Sequence, residues 1–109
     1  MVHATVRMVI PAKEQDGVLA ILRSIGERTR LEQGCIGYHV YQAAEEELAI
    51  MVEEFWKTEE DLERHLRSDE YQKMLLLVEM ALKPPEIRFN VISHTTGLET
   101  IEKARKVSL

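Results

Sequence analysis

The sequence predicts an α+β fold, one antiparallel sheet with helices on one face in the order β-α-β-β-α-β. Three observations carry this. Four short segments are rich in β-branched and aromatic residues, two longer regions repeat apolar residues at helical spacing, and prolines, glycines or capping residues fall between them. A chain of 109 residues suits one compact core.

Residues 4 to 10, "ATVRMVI", read as the first strand and stop at Pro11, which has no N–H for a sheet ladder and suits a first helical turn. From Lys13 to about Leu31, Val18, Leu19, Leu22 and Ile25 recur three and four apart, the spacing of one helical face. Gly34 closes this region, as glycine tolerates the left-handed backbone found just past a helix. "CIGYHVYQ", 35 to 42, and "ELAIMVEEFW", 47 to 56, form a hairpin across the acidic "AAEEE", a solvated turn.

Thr58 before "EED" sets Asp61 at the third helical position, close to a capping box, and starts a short helix with Leu62, His65 and Leu66 on one face. Ser68, followed by Asp69 and Glu70, starts another, whose stripe is Tyr71, Met74, Leu75, Val78, Ala81 and Leu82. Pro84 and Pro85 halt it, and "EIRFNVIS", 86 to 93, is the fourth strand.

Residues 1–95 thus make a ferredoxin-like βαββαβ unit, and 96–109 a C-terminal extension. In the extension Leu98, Ile101 and Arg105 share helical spacing after Gly97, which fits a short helix, an arm reaching a partner, or a frayed tail. Apolar residues of "LAIMV" at 48 to 52, with Val6, Met8 and Val9, point to both sides of the sheet. The expected cover for the second side is another copy, in a two-fold homodimer with sheets face to face.

Net charge is −5 and the basic residues are scattered, which argues against a nucleic-acid partner. Cys35 is the only cysteine, so no internal disulfide can form and a reducing compartment is expected. The start of the chain lacks the pattern of a signal peptide and no stretch has the length of a membrane span, so no membrane partner and a cytoplasmic location are expected. His3, His39, His65 and His94 sit in separate elements without metal-site spacing, and Gly26, Gly34, Gly37 and Gly97 build no phosphate loop. Neither metal nor cofactor is expected.

"EQGCIGYHVY" followed by "VEEFWKTEEDLERHLRSDEY" resembles the antibiotic biosynthesis monooxygenase family, the small dimeric α+β barrel proteins that include quinol monooxygenases. The resemblance rests on the glycine-cysteine step before the second strand, the glutamate and Trp56 closing the third, and His65. It implies a cavity between sheet and helices and, in some members, reaction of molecular oxygen with phenolic, anthrone or quinol substrates without metal or flavin. The match departs at Glu70, where many relatives carry histidine before an aromatic residue, here Tyr71. A haem-degrading branch uses an asparagine in the first strand, and none occurs there.

Such chemistry needs a base that turns the substrate into an electron-rich anion in a dry pocket. His65 is the candidate, since an imidazole with a pKa of about 6.5 accepts a proton near neutrality and general bases contribute roughly 10² to 10⁴ in rate. The structural alternative is a core histidine satisfied by one backbone hydrogen bond. Trp56 is the expected wall of the site or ordinary packing, and Tyr38 and Tyr71 could orient a planar substrate. Tyr41 lies on the face opposite Tyr38. Two rival functions are a protein that binds a hydrophobic metabolite without turnover, and an isomerase of small phosphorylated carbonyl compounds whose phosphate clamp could only be Arg7 or Arg88.

Overall fold

The computed structural model describes residues 1–109. Strands β1 (Val2–Val9), β2 (Cys35–Gln42), β3 (Ala49–Trp56) and β4 (Glu86–Val91) form one sheet in the order β2-β3-β1-β4, antiparallel throughout. Helix α1 (Gln15–Thr29) follows a 3₁₀ turn at Ala12–Glu14, α2 (Glu59–Leu66) and α3 (Asp69–Val78) follow β3, and α4 (Leu98–Arg105) ends the chain. This is the ferredoxin-like order that the sequence predicts, with the second helical region divided at Ser68.

Two boundaries move for reasons of pairing. β1 begins at Val2 because Val2 and His3 pair with Trp56 and Phe55 of β3. β3 begins at Ala49, paired with Val9 at the end of β1, and the Ile10 N–H extends that pairing by one bond to the Leu48 carbonyl at 2.9 Å.

On the helix side, Val2, Ala4, Val6 and Met8 of β1 are buried beside Ile50, Val52, Glu54 and Trp56 of β3. α1 contributes Val18, Leu22 and Ile25, and α3 contributes Tyr71, Met74 and Leu77. Each large apolar side chain buried there is worth about 1.5–3 kcal/mol. Tyr38 fastens α1 to the sheet: its hydroxyl donates to the Leu22 carbonyl at 2.9 Å while its ring lies under Gly26.

The other side of the sheet is mixed and not continuously apolar. Met51 and Phe55 of β3 alternate with Glu53, whose carboxylate pairs with His3 at 2.8 Å, and Thr5 and Arg7 stand beside them on β1. Val9 and Ala49, the remaining apolar residues of that side, are buried by the chain itself.

A β-carbon on Gly26 would sit 2.6 Å from the Tyr38 ring. Gly26→Ala is therefore expected to destabilise the fold by about 1–3 kcal/mol, as overpacking does, although alanine is favoured over glycine in a helix by about 1 kcal/mol. Urea unfolding reads the difference, and an unchanged or raised midpoint would contradict this packing.

Candidate functional site

Immediately after Trp56, the Thr58 side chain accepts the Asp61 N–H at 3.1 Å and starts α2. That start sets Leu62 and His65 on the face turned to the sheet, and both are buried. The His65 ring is 1% exposed and stacks on the Trp56 indole, with centroids 4.6 Å apart and planes 29° apart. Tyr71, brought in by the Ser68 cap of α3, meets the same imidazole edge-on at 5.1 Å. His65 thus touches two of the three other side chains expected at a site, Trp56 and Tyr71.

Two glutamates complete the cluster. Nδ1 of His65 lies 2.9 and 3.1 Å from the two carboxylate oxygens of Glu32, in the segment between α1 and β2. Nε2 lies 3.3 Å from Oε1 of Glu54, within ion-pair reach but poorly aligned for a hydrogen bond. The same Glu54 oxygen accepts the Trp56 indole N–H at 2.9 Å. Glu54 is 4% exposed, whereas the Glu32 side chain is 27% exposed, so the cluster runs from the interior toward solvent.

Burial, the largest single effect, would lower the pKa of His65, but the close Glu54 carboxylate at Nε2, with the charge and hydrogen bond of Glu32 at Nδ1, together outweigh it and raise the imidazole above its usual value. Burial, then the charge of Glu54, pushes the Tyr71 phenol up to about 12 and raises Tyr38 as well. The Cys35 thiol is also raised, by burial and then by Glu54 and Glu32, which keeps it a thiol and not a thiolate nucleophile. The cluster therefore favours an imidazolium beside neutral phenols.

Tyr38 occupies a different position from the one expected of a substrate-orienting residue. It faces Glu54 across the β2–β3 pair, yet its hydroxyl is taken by Leu22. Arg7 is paired with Glu46 and forms no phosphate clamp. No three His, Cys, Asp or Glu side chains converge in a metal-binding arrangement.

His65 and Trp56 are buried and line none of the clefts, where the resemblance implies a cavity beside them. Two surface clefts lie at the β2 edge instead: one of about 250 Å³ lined by Arg30, Cys35, Ile36, Gly37, Tyr38 and His39, and one of about 370 Å³ lined by Arg23, Glu27, Arg30, Tyr38 and Val40. They adjoin the cluster, because Cys35 and Tyr38 are the cross-strand partners of Trp56 and Glu54. A third cleft, of about 140 Å³ beside Arg7, Tyr41 and Met51, contains none of the cluster residues.

Sequence reasoning singles out neither Glu32 nor, by position, Glu54. Glu54 had a signal: it shares strand parity with Ile50, Val52 and Trp56 and so must face the core. Glu32 had none, since it lies outside regular structure and 33 positions from its partner.

A family model for antibiotic biosynthesis monooxygenase matches residues 1–75. Over 57 residues the chain is 32% identical to the uncharacterized protein YjcS of Bacillus subtilis, covering 52% of this chain and spanning about half, 54%, of that relative's length. Among solved structures it is similar to a conserved protein from Methanosarcina mazei, with 30% identity and a TM-score of 0.76 over 82% of this chain and 89% of the other. Rv0793 from Mycobacterium tuberculosis (20% identity, TM-score 0.78, 88% and 98% covered) shares the fold. So does a Deinococcus radiodurans protein provisionally assigned to the same family (19%, 0.81, 90% and 98%).

The carboxylate clamp has a pH signature. An NMR titration of His65 is expected to give a midpoint above the usual value of about 6.5, and Glu54→Gln to lower it. Because the folded value is raised, the clamp's stabilisation is fully present below the unfolded pKa and lost as pH rises through the folded midpoint. Unfolding free energy should fall across that window, with a shallower fall in Glu54→Gln. A wild-type midpoint at or below about 6.5 contradicts the clamp.

Proposed function

The chain belongs to the antibiotic biosynthesis monooxygenase family, and on that premise we propose that it oxidises a small aromatic substrate of quinol or anthrone type with molecular oxygen, without metal or flavin. The observation that supports this reading is the buried His65, stacked on Trp56 with a carboxylate at each ring nitrogen. A buried ion pair is a poor device for stability alone, and perturbed titrating groups concentrate at functional sites.

In this reading the substrate gives up a proton to Nε2 of His65, and the resulting anion supplies electrons to oxygen. For an activated methylene the balance is R₂CH₂ + O₂ → R₂C=O + H₂O, one oxygen atom entering the carbonyl and the other leaving as water. Glu32 orients the imidazole at Nδ1 and passes the proton outward, while Trp56 is the apolar wall against which a planar ring packs. Since the raised pKa favours the imidazolium, turnover rises with pH through the His65 midpoint. The substrate enters from the β2 edge, where the two clefts flank Arg30.

A second reading, binding of a hydrophobic metabolite without turnover, is favoured by the mainly apolar cleft beside Tyr41, Ile50 and Met51, away from the cluster. Oxygen uptake with a panel of reduced quinones and anthrones separates the two. The expected result is uptake by wild type, reduced about 10²-fold or more in kcat in His65→Gln and raised in KM in Trp56→Phe. Uptake at background for every compound, or unchanged in His65→Gln, overturns the oxygenase reading. Saturable binding without uptake selects the second.

A further inference from the structure

Arg30 is a fixed cation without an anion. It occupies the C-cap of α1, and its guanidinium donates to the Tyr38 carbonyl on the edge strand β2 at 2.8 Å. The same group lies over the Tyr38 ring, 5.5 Å from the centroid, within cation–π range. Tyr38 is itself anchored, buried and bonded to Leu22. One of the guanidinium's N–H donors is thus engaged, and no carboxylate of the chain comes within ion-pair reach of Arg30.

Arg30 and Tyr38 are the two residues shared by the clefts of about 250 and 370 Å³ at the β2 edge. Sites for small molecules run to roughly 300–1,000 Å³. Arg23, also without an ion pair, adds a second guanidinium to the larger cleft, and His39 adds an imidazole to the smaller. Nε2 of His39 stands 3.2 Å from where a β-carbon on Gly37 would lie, beside the register shift between Cys35 and Gly37. Such breaks in an antiparallel pair re-aim side chains and are over-represented next to sites. Glu27 is the one acid in the two linings. That balance favours a monoanion over a dianion such as phosphate, and a planar guanidinium matches a carboxylate in particular.

The apolar end of a ligand also has a defined place. Cys35 lines the smaller cleft and packs against the group of Val2, Ala4, Trp56 and Leu62. Ile36, 57% exposed, stands next to it. An aromatic ring held at Cys35 is one side chain away from the Trp56 indole.

We propose that the clefts around Arg30 bind the carboxylate of a small aromatic acid, whose ring packs against Cys35 and Ile36. Resting on the oxidation proposed above, the substrate is then a quinol or anthrone that carries a carboxylate, and Arg30 is the residue that selects it. The binding itself does not depend on that oxidation.

NMR titration of the full chain with 2,5-dihydroxybenzoate, a quinol that carries a carboxylate, tests the site without requiring turnover. The expected result is saturable shifts at the Gly37, Tyr38 and His39 amides. The methyl ester of the same quinol, and the acid with Arg30→Gln, should each bind at least about tenfold more weakly, the loss expected for a charged hydrogen bond. Arg28→Gln, which removes the same charge outside both clefts, should bind the acid as wild type does, and inorganic phosphate should compete less well than benzoate. Equal affinity of wild type for acid and ester overturns the proposal, whatever Arg30→Gln does to folding, and leaves Arg30 as a cover for the β2 edge. Binding indifferent to Arg30→Gln, or phosphate competing as well as benzoate, overturns it too. Oxygen uptake with the same pair separates site from reaction. Acid binding with uptake at background supports the site and removes the oxidation, whereas uptake that treats acid and ester alike removes the site and keeps the oxidation.

Discussion

A carboxylate that faces the apolar side of a sheet has to be met by donors, because a buried charge left alone is among the most unfavourable arrangements a core can contain. Glu54 is such a group, placed by strand parity between Val52 and Trp56 and almost sealed from water. It is met from two directions, by a hydrogen bond from the indole N–H two residues along the same strand and by the imidazole of α2 within ion-pair reach. The position of α2 follows from this demand together with the Thr58 cap, and the position of Glu32 follows from the second nitrogen of His65. The Tyr71 and Tyr38 phenols then sit in the field of the same carboxylate.

That chain of dependence explains how far the sequence could be read. The element order was legible because each boundary carries a punctuating residue with a local mechanism: Pro11, Gly34, Thr58, Ser68 and the Pro84–Pro85 pair. Trp56 and His65 were legible as inward-facing from parity and helical spacing. The charge state of His65 was not, because it depends on Glu32, whose approach is a tertiary event without a local pattern. The composition of the open sheet side was legible only by strict alternation. Apolar residues do face both sides, but on the open side Met51 and Phe55 alternate with His3, Arg7 and Glu53, while Val9 and Ala49 are covered locally.

The electrostatics give the His65 cluster between sheet and helices a particular character. A histidine flanked by two carboxylates is a better proton store than a free imidazole and a weaker base at the same pH. Under the proposed function a base so placed is one member of a relay, taking protons at a buried nitrogen and releasing them through a partly exposed glutamate. Tight packing around it makes access, as much as basicity, a condition of any turnover.

The central claim is that His65 and Glu54 are energetically coupled across the core. A double-mutant cycle with His65→Gln and Glu54→Gln, read by urea unfolding at slightly acid pH, measures that coupling directly. The account requires a favourable interaction within the roughly 0.5–3 kcal/mol range of contacting pairs, shrinking as pH is raised. Additive effects of the two substitutions would mean that the imidazole and the carboxylate are neighbours without being partners, and would contradict it.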